Sequence, residues 1–142
     1  MALGGLPVTA LVAVLALNMG REPRYVSNNL EGDCPRLEGD LETLDGQEVS
    51  IGELQGNPVV FNFWSTYCVS CEVEHEDLME TRRLYQGRGV QFYGVMWHDE
   101  IDRARAWLLS NESAGRESFP ILVDPGDRLA IELGVSGVPE TF

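Results

Sequence analysis

The strongest constraint on this chain is a short apolar run that ends a few residues before a pair of cysteines. Pro58 opens Val59-Val60-Phe61-Asn62-Phe63-Trp64, a β-branched and aromatic stretch that predicts a strand buried on both faces. The loop Ser65-Thr66-Tyr67 then leads into Cys68-Val69-Ser70-Cys71. From Cys68 to about Arg83 the pattern is polar and helical, and Gly87 and Gly89 stop it. Two intervening residues let the two sulfurs meet within one helical turn. Cys68 falls at the helix start, where unpaired amides and the positive end of the dipole stabilise a thiolate. Cys71 lies one turn further in, placed to resolve a mixed disulfide. The pattern predicts a dithiol/disulfide redox site in which the Cys68 thiolate attacks a substrate disulfide and Cys71 releases the product.

The rest of the chain repeats the strand-then-helix order. Val90 to Met96 predicts a strand, and Glu100 to Ser110 a helix with Ile101, Ala104, Trp107 and Leu108 on one face. Ile121-Leu122-Val123 predicts another strand, Asp124 to Asp127 a turn, and Leu129 to Leu133 a short helix ended by Gly134. Upstream, Leu41 to Leu44 and Gln47 to Val49 flank Asp45-Gly46, which predicts a hairpin closed by a two-residue turn. Ser50 is placed to cap a short helical turn before Gly56. Such alternation predicts an α/β domain with a mostly parallel central sheet.

Composition narrows the chemistry. A chain of 142 residues with 3 Cys can bury a core without disulfide staples. The net charge is −13 and every basic residue is Arg, so the surface repels phosphate backbones and nucleic-acid binding is excluded. A lone C-x-x-C can be half of a zinc site. The other Cys and His candidates, Cys34, His75 and His98, show no paired spacing, so no metal and no cofactor is expected.

The N-terminus has a different character. From Ala2 to Met19 there is no charged side chain, and Leu11 to Leu17 is continuously apolar, as in a signal peptide or a membrane anchor. As a helix, residues 3–19 reach about 25 Å against a hydrocarbon core of about 30 Å. An n-region without Lys or Arg, and Arg21 and Arg24 after the apolar run, fit a signal peptide poorly. Residues 1–20 are assigned to an export or anchoring segment, 21–40 to a polar linker and 41–142 to the globular domain.

Two further residues stand near the sulfurs by helical spacing. Glu74 is three residues after Cys71 and His75 four after it. A carboxyl at Glu74 can carry the Cys71 proton during exchange, and its negative charge raises thiol pKa values, which favours the disulfide and makes the dithiol a better reductant. The alternative for Glu74 is a solvated helix residue, and for His75 a half-buried structural histidine.

The stretch Phe61-Asn62-Phe63-Trp64, followed by Cys68-Val69-Ser70-Cys71-Glu72-Val73-Glu74-His75, resembles the thioredoxin-like TlpA/ResA/DsbE group. Gly134-Val135-Ser136-Gly137-Val138-Pro139-Glu140-Thr141-Phe142 resembles the cis-proline loop of its cytochrome c maturation branch, called CcmG or DsbE. The likeness spans about residues 33–142. It implies a thioredoxin-like fold, a central mixed sheet flanked by helices with an N-terminal hairpin. It implies a cis Val138-Pro139 bond packed against the cysteines, with Pro139 joining Cys68, Cys71 and Glu74 as catalytic residues. Trp64, Tyr67, Val138 and Glu140 would meet an extended substrate chain. The implied task is reduction of disulfides in apocytochrome c, or in a thiol protein that handles it. Electrons would come from a membrane donor of DsbD or CcdA type, at the periplasmic face of the bacterial cytoplasmic membrane. Tyr67 stands where relatives have Trp, and Cys34-Pro35 where they have Ala-Pro; Cys34 is read as an incidental free thiol. The fold would need two more strands and a helix after Phe142, so the sequence is expected to be a piece of a longer reading frame. A ResA- or TlpA-type reductase with other clients shares the chemistry. A thiol peroxidase would need a Pro-x-x-x-Thr-x-x-Cys setting that is absent ahead of Cys68. A tethered binding domain would keep its activity without Cys68.

Overall fold

The computed structural model describes residues 37–85, 87–113 and 118–142. The export or anchoring segment, nearly all of the predicted linker and Cys34 lie outside the described residues. Among those described, no helix is long and apolar enough to cross a membrane.

The run that opens at Pro58 becomes strand β3 (Val59–Trp64), an interior strand one place from the edge of a six-stranded mixed sheet. The other strands are β1 (Asp40–Thr43), β2 (Glu48–Ser50), β4 (Gln91–Met96), β5 (Ile121–Val123) and β6 (Glu140–Thr141). Helices α1 (Val69–Tyr85), α2 (Ile101–Ser113) and α3 (Arg128–Leu133) connect them. The order across the sheet is β2-β1-β5-β4-β3-β6. Strands β3, β4 and β5 run parallel, while β1 and β6 pair antiparallel to β5 and β3.

The side-chain period of two divides the parallel strands between two cores. Phe61, Phe63, Val95 and Leu122 face Ile51 and the α3 residues Leu129 and Ala130. Trp64, Met96 and Ile121 face the opposite way, against Cys71 of α1 and Ala104 of α2. Phe92 and Phe119 pack with Met79 of α1 on that same side. With both faces covered, the strands can be apolar nearly throughout. Phe63 has no exposed surface; burying such a side chain contributes roughly 1.5–3 kcal/mol relative to leaving it in water.

Two local expectations are corrected. The hairpin closes through Leu44-Asp45-Gly46, not a two-residue Asp-Gly turn: the Thr43 amide donates to the Gln47 carbonyl at 2.8 Å. Gly46 takes a φ of +86°, as the last position of a three-residue loop requires. The extra residue turns Leu44 into the core, where it is 4% exposed. The short helical turn exists as a 3₁₀ turn over Gly52–Leu54, but Ile51 is its N-cap and no side chain caps it. The helical φ and ψ at Ile51 and its burial at 3% leave Ser50 in strand β2.

Candidate active site

β3 delivers the cysteines through a single tight turn. Its last residue, Trp64, is 6% exposed, and Ser65 is 2% exposed. The Cys68 amide donates to the Ser65 carbonyl at 3.2 Å, closing the turn around Thr66 and Tyr67. Cys68 and Cys71 form a disulfide across the first turn of α1. Cys68 is half-buried and Cys71 is 8% exposed. The Cys71 amide points at the Cys68 sulfur at 3.1 Å, with the Ser70 hydroxyl 3.5 Å from it. In the dithiol state those donors favour negative charge on Cys68, the outer of the two sulfurs.

A second segment, after β4, clamps the turn from the side. The Trp97 amide donates to the Trp64 carbonyl at 3.0 Å, extending the β3–β4 pairing. The Thr66 amide donates to Asp99 Oδ2 at 2.5 Å. Asp99 Oδ1 accepts from the Glu100 amide at 2.8 Å and from Arg103 at 3.2 Å. Burial pushes the Asp99 carboxyl up, but hydrogen bonds from Thr66 and the Glu100 amide, with the Arg103 charge, outweigh it and hold the group below its ordinary value. The Tyr67 hydroxyl donates to the His98 carbonyl at 3.3 Å. His98 itself has a φ of 50°, stacks on Trp97 and meets Asp127 at 2.9 Å.

The third wall is the loop before β6. The Val138–Pro139 peptide is cis. β6 pairs with β3 as Asn62↔Thr141 and Phe63↔Glu140, and continuing that register sets Pro139 beside Trp64 and Val138 beside Ser65. Val138 packs against both main cores, including the one that holds Cys71. Glu140 braces its own loop, accepting from the Ser136 amide at 2.9 Å.

The residues singled out by sequence thus fall in different layers. Cys68, Cys71, Val138 and Pro139 gather at one end of the sheet. Tyr67 is 56% exposed at the rim, whereas Trp64 is buried against Trp107 with ring centroids 4.6 Å apart. Trp64 therefore supports the turn from below. Glu74 is partly buried; desolvation, then the neighbouring Asp77 charge, raise its pKa. One of its carboxylate oxygens is buried without a hydrogen-bond partner among the described residues. A cavity of about 20 Å³ reaches the sulfurs, and the α1 residues that line it are Cys68's neighbours Cys71, Glu72 and His75, not Glu74. Among the described residues no cluster of His, Cys, Asp and Glu could hold a metal ion. Sequence reasoning missed Asp99. Its place just before a helix is a capping signal, but its bond to Thr66 is tertiary and leaves no local trace.

A disulfide at the start of a helix, just after an interior strand of the sheet and beside a cis-proline loop, defines a thioredoxin-like thiol:disulfide oxidoreductase. The chain belongs to the AhpC/TSA family, whose profile matches residues 32–142. It is 34% identical over 138 residues to the thiol:disulfide interchange protein DsbE of Escherichia coli K12, covering 94% of this chain and 70% of that one. It is 34% identical over 87 residues to the thiol:disulfide interchange protein HelX of Rhodobacter capsulatus, covering 61% of this chain but only 46% of HelX. In structure it is similar to a secreted Mycobacterium tuberculosis disulfide oxidoreductase homologous to E. coli DsbE, with a TM-score of 0.63, 23% identity and 75% of each chain covered.

Proposed function

We propose that this chain is an extracytoplasmic thiol:disulfide reductase of cytochrome c maturation, acting on disulfides of apocytochrome c or of a thiol protein that handles it. The observation that carries the reading is the Cys68–Cys71 disulfide at the head of α1, bordered by the Val138-Pro139-Glu140 loop. Similarity to DsbE and HelX supports it. Residues 1–20 would carry the domain, 41–142, to the periplasmic side of the membrane, as a cleaved signal or a retained anchor, with 21–40 as spacer.

In the reduced chain, the Cys68 thiolate attacks one sulfur of the client disulfide and the other client sulfur leaves as a thiolate. Cys71 then attacks Cys68; the Cys68–client bond breaks, the Cys68–Cys71 bond forms, and the client departs as a dithiol after taking up protons from solvent. Two electrons pass from chain to client, and a membrane dithiol donor of DsbD or CcdA type restores the pair. Tyr67 at the rim, and the edge of the Val138–Glu140 loop, would hold the extended client chain. The partly buried Glu74 acts through its charge, which disfavours a nearby thiolate and lowers the reduction potential.

A redox titration tests this. The protein is equilibrated in graded dithiol/disulfide buffers and free thiols are counted by maleimide mass shift. A two-electron transition at or below about −270 mV is expected for a reductase. A transition near about −120 mV would make the protein an oxidant and end the proposal.

A further inference from the structure

The reaction leaves one proton without a route. Cys71 must lose its proton before it can attack Cys68, yet it is 8% exposed, and burial in apolar surroundings holds a thiol protonated. The cavity of about 20 Å³ beside it is lined by Cys68, Cys71, Ser65, Trp64, Glu72 and His75, among others. That volume has room for about one water, which needs roughly 10–15 Å³ and two to four polar partners. Three such atoms belong to residues in its wall: Trp64 Nε1, Ser65 Oγ and Thr66 Oγ1 are buried and have no hydrogen-bond partner among the described residues. Trp64 Nε1 lies on the same side of β4 as the Phe119 and Ile121 side chains that line the cavity: a Cβ built on Gly94 would come within 2.9 Å of it and within 3.3 Å of both of them.

We propose that this cavity holds one water, fixed by the Trp64 indole and the Ser65 hydroxyl, which passes the Cys71 proton to the His75 imidazole during resolution of the mixed disulfide. His75 is half-buried one helical turn after Cys71, with its ring edge-on to Trp107 at 5.7 Å and tilted to Phe119 at 5.8 Å. Those aromatic walls fix the ring's position beside the cavity. Imidazole exchanges protons in the neutral range. The other titratable groups in the wall are Cys68, Cys71 and Glu72; the lining residues from α2 and from the segment leading into β5 are Trp107, Ser118, Phe119 and Ile121, none charged. Arg82 donates to the Ser118 carbonyl of that segment at 3.3 Å. Glu74 precedes His75 outside the wall, and Glu72 is exposed. The step balances: Cys71 gives its proton through the water to His75, its thiolate forms the Cys68–Cys71 bond, and the client thiolate leaves. His75 later returns the proton to solvent. His75 is thus a positioning and relay residue, reaching the reacting sulfur only through water. The inference rests on the thiol-exchange reading above.

Reduced protein carrying Cys34→Ser is mixed with 5,5′-dithiobis(2-nitrobenzoate) in a stopped-flow instrument. The first thionitrobenzoate is released by Cys68, and the second when Cys71 resolves the mixed disulfide. His75→Gln is expected to slow the second release at least tenfold at neutral pH and to change its pH profile, leaving the first release unaltered. Ser65→Ala and Trp64→Phe are expected to slow the second release to a smaller degree. An unchanged second release in His75→Gln, equal slowing of both releases, or loss of the pH profile in Glu72→Gln instead, would overturn the relay. A parent protein that never releases the second equivalent would overturn the thiol-exchange reading itself.

Discussion

Replacing Gly94 with alanine should destabilise the domain, although alanine is the better residue for most strands. Gly94 sits in the middle of β4, paired with β3 on one side and β5 on the other. Its Cα faces the α1–α2 core, and an added Cβ would lie 2.9 Å from Trp64 Nε1, 3.0 Å from Phe119 Cε2 and 3.3 Å from Ile121 Cγ1. None of these is the free end of a flexible side chain. Trp64 is wedged against Trp107 at 4.6 Å between centroids, and Phe119 is 5% exposed. The backbone cannot retreat without breaking two parallel ladders. Overpacking of this kind costs about 1–3 kcal/mol, while loss of glycine's freedom in the unfolded chain returns about 0.4–1 kcal/mol. The net is a destabilisation of about 1–2 kcal/mol, which at about 4–8 °C per kcal/mol for a domain of about 100 residues lowers the melting point by about 4–16 °C. Thermal and urea unfolding of the oxidised protein, followed by far-ultraviolet circular dichroism, would measure it. A midpoint equal to or above that of the parent would refute the packing argument.

Two carboxyl groups near the site give predictions of opposite sign. The Asp99 pKa is lowered, so its contribution to stability is present above the unfolded-state value and is lost as pH falls through the folded one. Asp99→Ala should therefore cost about 1–3 kcal/mol at neutral pH, by leaving the Thr66 amide without its acceptor, and the difference from the parent should shrink in acid; urea midpoints at a series of pH values check this. The Glu74 pKa is raised, so stability is lost as pH rises from the unfolded-state value through the folded one. Glu74→Gln should melt higher than the parent at neutral pH and converge with it in acid, and a variant that melts lower at neutral pH would show that the carboxylate has a partner it needs.

The parts of this molecule that were legible in sequence are those governed by local period and by turn chemistry. The β-branched and aromatic run of residues 59–64 and the C-x-x-C at a helix start require nothing beyond nearest neighbours along the chain, and the same holds for Gly134, whose φ of +76° ends α3. Details set by distant packing were not legible. Leu44 entered the core and lengthened the hairpin loop by a residue, because a buried leucine outweighs the preference of Asp-Gly for a two-residue turn. The resemblance sets Trp64 against the substrate chain, yet Trp107, 43 positions along the chain, packs on its ring and leaves it only 6% exposed. Asp124 offers another case. It reads as a turn residue, but it is 6% exposed and accepts from the Leu129 and Ala130 amides at 3.2 and 3.0 Å, capping α3 across the turn. Asp127, the residue next to the helix, makes no side-chain cap.

The two influences on Cys68 oppose each other, and salt separates them. The amide of Cys71, 3.1 Å from the Cys68 sulfur, belongs to a fixed helix terminus that favours a thiolate by about 0.3–1 kcal/mol, and at this distance it is little screened. Glu72, Glu76, Asp77 and Glu80 are exposed along α1 and disfavour the thiolate through solvent, where the Debye length falls from about 30 Å at 0.01 M to about 3 Å at 1 M ionic strength. Raising salt should remove the acidic contribution and leave the amide contribution in place, stabilising the reduced pair relative to the disulfide. With about 1.4 kcal/mol equal to 30 mV for a two-electron couple, relief of roughly 0.5–1 kcal/mol moves the potential upward by about 10–20 mV. The same maleimide titration, run at low and high sodium chloride, reads this shift. A potential that falls with salt would mean that the acidic face of α1 does not govern the dithiol, and that the groups setting its poise lie inside the cavity instead.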